Sequence, residues 1–261
     1  MPVEYLRTLT APERTRRTDV HLGLFLAFNA GAINAGGFLA VSQYTSHMTG
    51  LVSEMADNLA LGDMALVKGA LISVLSFLAG AATSAVMINW ARRRRSRHEY
   101  SAPLLLVAIL MLVFGVMGAY HQVIGTSLIG TVILLCFIMG LQNAMITKVS
   151  NSVIRTTHVT GMVTDIGIEL GRMLYWNRTP DSPEHPAVRA NLKRLKLHLS
   201  LVMMFFTGGL LGALGFKHLG YIATVPPALL LAALSSLQFF PDRNVDARGP
   251  ARTLIDEPDQ A

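Results

Sequence analysis

Two near-copies of one polar hexapeptide, Thr45-Ser46-His47-Met48-Thr49-Gly50 and Thr156-Thr157-His158-Val159-Thr160-Gly161, stand 111 residues apart in an otherwise apolar chain. Hydroxyls donate and accept hydrogen bonds, and an imidazole changes charge near neutral pH. Such groups beside a membrane span are costly unless they have partners or a task. If each segment is helical from the histidine onward, one face collects His47, Gly50, Glu54 and Asn58, and the matching face collects His158, Gly161, Asp165 and Glu169. An acid thus follows each histidine by seven residues. Once desolvated, Glu54 and Asp165 would have raised pKa values and could exchange protons. A Thr or Ser ahead of free helix N–H groups also makes an anion site. The candidate solute- or ion-binding residues are therefore Asn34, Thr45, His47, Thr49 and Glu54 from one copy, and Asn143, Thr156, His158, Thr160 and Asp165 from the other.

Each feature also has a plainer reading. Thr and Ser before a helix are usually caps, and acids in a first turn usually complement the dipole. Asn34 and Asn143 lie deep in apolar stretches among Gly31, Gly36, Gly37 and Gly140, where a buried Asn serves as interhelical glue as readily as a solute contact. Gly36-Gly37 could also break its helix and expose carbonyls to a cavity. The polar segments themselves fit either re-entrant half-helices or amphipathic helices at the interface. His47, His158, Glu54 and Asp165 do not have the close spacing of a metal motif, and no nucleotide-binding or hydrolase motif is present. No cofactor, metal or enzymatic activity is expected.

The elements that must hold these groups are membrane helices. The 261 residues are 52% hydrophobic and 15% charged, against about 25% charged in soluble domains. Six stretches have the roughly 20 apolar residues a crossing needs: 22–41, 64–91, 102–120, 124–146, 197–216 and 221–240. Hairpins are expected at His121-Gln122-Val123 and at Lys217-His218-Leu219-Gly220. Gly208, Gly209, Gly212 and Gly215, like Gly115 and Gly118, read as packing surfaces. The one cysteine, Cys136, reads as a small buried hydrophobe.

Basic residues cluster beside the apolar runs, at Arg7, Arg14, Arg16 and Arg17, at Arg92 to Arg97, between Lys148 and Lys196, and in the C-terminal tail. With six crossings and both termini cytoplasmic, 20 of the 22 fall on one side, leaving Lys68 and Lys217 on the other. The pI near 9.8 then reports membrane orientation, and nucleic acid is not an expected partner. Arg92 to Arg97 also fits an anionic-lipid patch. The N-terminal tail lacks the pattern of a removable signal peptide.

The repeat extends beyond the hexapeptide. Gly31-Ala32-Ile33-Asn34-Ala35 matches Gly140-Leu141-Gln142-Asn143-Ala144, and Phe77-Leu78-Ala79-Gly80 echoes Phe205-Phe206-Thr207-Gly208. Each copy holds three spans, so the copies must point in opposite directions, as in many secondary transporters. The expected fold is an all-α integral membrane protein with six transmembrane helices, arranged as two inverted three-helix repeats with polar, re-entrant segments after helices 1 and 4. Its parts are a cytoplasmic tail over 1–21, repeat 1 over 22–120, repeat 2 over 124–240 with a cytoplasmic loop at 172–196, and a disordered tail over 241–261.

The Asn-containing first span, the Thr-[Ser/Thr]-His-x-Thr-Gly element and its echo ending in Asp-Ile-Gly-Ile-Glu-Leu-Gly-Arg (residues 165–172) resemble the YoaK-like bacterial transmembrane family of unknown function. The resemblance covers about residues 20–240 and implies a multi-pass protein of the bacterial cytoplasmic membrane. It brings no substrate with it. Our reading of the residues is a small secondary transporter or channel-like permease whose partners are the bilayer and a small solute or ion. A non-transporting scaffold or regulator that docks a partner through its basic loop is the alternative. Six short spans leave little room for a cavity, which points toward a homodimer.

Overall fold

A computed structural model describes residues 15–94, 96, 99–120, 128–150, 156–177 and 186–236. The expected N-terminal tail up to residue 14, the hairpin at 121–123, most of the Pro180–Pro186 loop, the last residues of the sixth span and the C-terminal tail lie outside them.

The regular structure of the described residues is all helical, with no strand among them. Eight α-helices follow in order: α1 (Arg16–Val41), α2 (Met48–Leu61), α3 (Met64–Arg93), α4 (Ser101–Ala119), α5 (Leu128–Val149), α6 (Val159–Leu174), α7 (Leu192–Leu219) and α8 (Val225–Ser236), with a 3-10 turn at Gly220–Thr224 before α8. Local chemistry sets several boundaries. Thr15 and Thr18 form a reciprocal capping pair that starts α1. The Asp63 carboxylate accepts the amides of Ala65 and Leu66 at the head of α3, and Asn191 accepts that of Arg194 at the head of α7. Gly62 closes α2 with φ of 80°, a conformation that costs other residues strain.

Among the described residues, five stretches are long and apolar enough to cross a membrane: Arg17–Val41, Met64–Arg93, Ser101–Ala119, Leu128–Val149 and Leu192–Ser236. They mark a membrane-embedded protein. The last stretch holds α7, the 3-10 turn and the 12 described residues of α8. The alternative of a break at Gly36-Gly37 is not taken; α1 runs unbroken through both. These glycines are packing positions instead. A methyl group on Gly36 would overlap the Phe216 ring, and one on Gly37 would press on Leu135.

Glycines also decide which helices touch. A methyl group on Gly31 would overlap the Phe205 carbonyl of α7, and one on Gly208 the Phe28 carbonyl of α1. The same exchange joins Gly140 to Phe77 and Gly80 to Phe137, between α5 and α3. Backbones approach this closely only where side chains are absent. Ala32 meets Gly212 and Gly36 meets Phe216, so α1 and α7 run parallel. Gly80 meets Phe137 while Lys148 donates to Asn89 at 2.6 Å, so α3 and α5 run parallel as well. Between these pairs, Asn29 donates to Gln142 at 3.1 Å and Gly37 lies against Leu135, which makes α1 and α5 antiparallel. The α4–α8 pair is antiparallel too: Ser235 donates to the Ser101 carbonyl, and Gly115 packs on Thr224.

One end of the bundle therefore gathers the starts of α1 and α7 and the ends of α3 and α5. It carries Arg17, Arg92, Arg93, Lys148, Lys193 and Lys196, whereas Lys68 and Lys217 lie toward the other end. At the basic end Arg92 pairs with Glu99 and contacts Tyr100, and the Arg94 guanidinium lies 4.4 Å from the Trp90 ring centroid. Arg92 thus ties the end of α3 to the start of α4 in addition to carrying charge.

Candidate functional site

The chain doubles back after α1. Ser42 adopts a left-handed conformation (φ 56°) while its amide still bonds to Phe38 at 2.8 Å. Tyr44 stacks on Phe38 with ring centroids 4.5 Å apart. Residues 44–47 then return to the level of Asn34, two turns back from the end of α1. There the Asn34 side-chain oxygen accepts from the Ser46 amide at 3.3 Å and from its hydroxyl at 2.9 Å. The second copy is held the same way. The Asn143 oxygen accepts from the Thr157 hydroxyl at 2.7 Å and the Thr156 hydroxyl at 3.3 Å. Both asparagines therefore anchor their own polar loop. The interhelical bond expected of them is made by Asn29 and Gln142, whose amide also reaches the Leu26 carbonyl at 2.7 Å.

Each loop ends in a short helix whose cap residue is the histidine. His47 precedes α2 and His158 precedes α6, and neither side chain accepts a hydrogen bond from the first turn. The expected Thr or Ser caps are absent: the Ser46, Thr156 and Thr157 hydroxyls are turned toward the asparagines, and the Thr45 hydroxyl is buried with no hydrogen-bond partner among the described residues. The glycine of the motif has a steric reason. Each imidazole folds back over the first turn, and a methyl group on Gly50 or Gly161 would overlap the ring of His47 or His158. Hence the His-x-x-Gly spacing in both copies.

The two loops share one cavity of about 740 Å³. Ser46, His47, Met48 and Thr49 line it from one copy, and Thr157, His158, Val159 and Thr160 from the other. Phe77 and Phe205, both near the middle of their long helices, complete five matched pairs, with Asn34 and Tyr44 added from the first copy. Because α1 and α5 are antiparallel, the loops that follow them approach this cavity from opposite ends of the bundle. The N-termini of α2 and α6 both open onto it. None of the described lining residues is an Asp, Glu, Lys or Arg. Two N-terminal dipoles, each equivalent to about half a positive charge, therefore face the cavity with no lining carboxylate to offset them.

The remaining predicted residues fall elsewhere. Thr45 and Thr156 are fully buried behind the lining. The acids are not in the cavity, because seven helical residues carry them about 10 Å along the axis from the histidines. Glu54 lies in a separate groove with Lys68 at the head of α3. Asp165 accepts from Arg194 at 2.9 Å and sits 3.5 Å from His198 Nδ1. Its neighbour Glu169 is 1% exposed, and accepts from Arg172 at 2.9 Å and from the Asn191 amide at 2.7 Å. Both acids fasten α6 to the head of α7. Among the described residues no group of three or more His, Cys, Asp or Glu is placed to hold a metal ion.

Residues 22–237 match the model of a family described as a protein of unknown function (DUF1275), and the chain belongs to that family. The YoaK-like resemblance is consistent with it. No curated protein and no solved structure matches the chain.

Proposed function

We propose that the chain is a small secondary transporter or permease of the bacterial cytoplasmic membrane, with both termini cytoplasmic and its solute site in the cavity shared by the two hexapeptides. The carrying observation is that cavity: five matched residue pairs line it, reached from opposite ends of the bundle. The matched glycine contacts, which join α1 to α7 and α5 to α3, support two inverted three-span halves, with α8 as the inner part of the sixth crossing. The gathering of cations at one end of the bundle supports the orientation. A polar site at mid-depth, between half-helices whose N-termini face it, is the arrangement that alternating-access carriers use for small solutes. Helix N-termini without a carboxylate favour an anion or a neutral polar solute over a cation. No covalent chemistry on the solute belongs to this reading.

The test is flux in proteoliposomes for a panel of small monovalent anions, polyols and monovalent cations. We expect anions or polyols to pass, and the double variant His47→Ala/His158→Ala to lose most of that flux without a change in melting temperature. Undiminished flux in a folded double variant would remove the cavity from the mechanism. A chain that moves nothing on the panel, yet loses its cellular effect when residues 173–190 are deleted, would be the scaffold instead.

A further inference from the structure

We infer that the groove between the heads of α1 and α7 is a binding site for one anionic phospholipid. Arg17, Lys193 and Lys196 converge there from two segments far apart in the chain, with His21 between them, around a cavity of about 580 Å³. Val20, Leu24 and Leu197 form an apolar floor that continues from the basic mouth along the helices. None of the described lining residues is acidic, and Arg17, Lys193 and Lys196 make no ion pair with a described residue. From Arg17 to Leu24 the floor runs about 10 Å along the axis, long enough for the upper part of an acyl chain beneath a phosphate. Clustered cations over an apolar groove at a membrane surface match a lipid phosphate and its chain together.

The duplicated architecture provides an internal control. The corresponding groove, between the heads of α5 and α3, is lined by Ala65, Lys68, Gly69, Ile72, Ile129 and Ile133. By the offsets of the glycine contacts, Ala65 stands where Lys193 does and Lys68 where Lys196 does, and Glu54 lies in the same groove. The same helix crossing is thus built without the excess positive charge. Packing does not require Lys193, and dispersed orientation signals would not need to meet around one groove. This inference rests on membrane embedding alone and is independent of the solute cavity.

The experiment is thermal unfolding of the purified full chain in mild detergent, titrated with phosphatidylglycerol, with phosphatidylcholine of the same chains, or with inorganic phosphate. We expect a saturable rise in melting temperature with phosphatidylglycerol only. It should be lost in Arg17→Ala/Lys193→Ala/Lys196→Ala and kept in Arg93→Ala/Arg94→Ala, which removes charge elsewhere at the same end. If the triple variant does not fold, Lys193→Gln and Lys196→Gln singly should each weaken the apparent affinity roughly fivefold. An equal response to phosphatidylcholine, a full response to free phosphate, or an unchanged response in these variants would overturn the site.

Discussion

Asn34 holds Ser46 twice, through the backbone amide and through the hydroxyl, across a gap of 12 residues. That pair of bonds returns the chain to mid-helix after α1 has ended, and Asn143 returns the second loop by accepting from the Thr156 and Thr157 hydroxyls. Everything the cavity offers depends on this return. Asn34→Leu and Asn143→Leu remove the acceptor while keeping the volume. Each should destabilise the protein by about 1–3 kcal/mol, the cost of leaving a partly buried hydroxyl unpaired. Each should also abolish solute flux, whereas Asn34→Asp, which keeps an acceptor oxygen, should retain part of it. Melting curves and flux on the same preparations check both halves of the prediction.

Gly50 and Gly161 allow function and stability to be separated. Alanine in a helix normally gains about 0.5–1 kcal/mol over glycine. Here the added methyl group displaces the His47 or His158 ring. Gly50→Ala and Gly161→Ala should therefore leave the melting temperature unchanged or higher while lowering flux several-fold. Normal flux in both variants would show that the imidazole positions do not matter.

The acids should divide by location. Glu54→Gln changes a residue outside the cavity and should leave flux within about twofold of the parent. Glu169→Gln weakens the bond to Arg172 and replaces a carboxylate that accepts the Asn191 amide from a buried position. It should cost about 1–3 kcal/mol and lower the melting temperature with little effect on solute selectivity. Asp165→Asn should cost less, since Arg194 is half exposed.

The apolar period and the doubled hexapeptide made much of this architecture readable. The long helices α1, α3, α4, α5 and α7 lie on the first five hydropathy runs, and the echo of Phe77 and Gly80 in Phe205 and Gly208 marked equivalent positions of the two copies, though not the partners they touch. Three things were not readable. The Asn29–Gln142 bond joins positions that do not correspond between the copies, so repeat comparison passes over it. The fate of Glu54 and Asp165 depends on where the histidine ring turns, and a helical-wheel projection does not record distance along the axis. Ser46 and Thr157 sat inside the motif, yet they were overshadowed by the more buried Thr45 and Thr156, because burial is a tertiary property that adjacent hydroxyls do not reveal in sequence.

The most direct measurement of the shared cavity is the sidedness of thiol labelling. Thr49→Cys and Thr160→Cys would be placed singly in vesicles of known orientation; the native Cys136 is fully buried and gives a silent background. A small membrane-impermeant reagent should reach both positions from the same side, and labelling either should block flux and protect the other in the double variant. Labelling of residue 49 from one side only and residue 160 from the other only, with no mutual protection, would place the two loops at separate membrane faces and contradict the account.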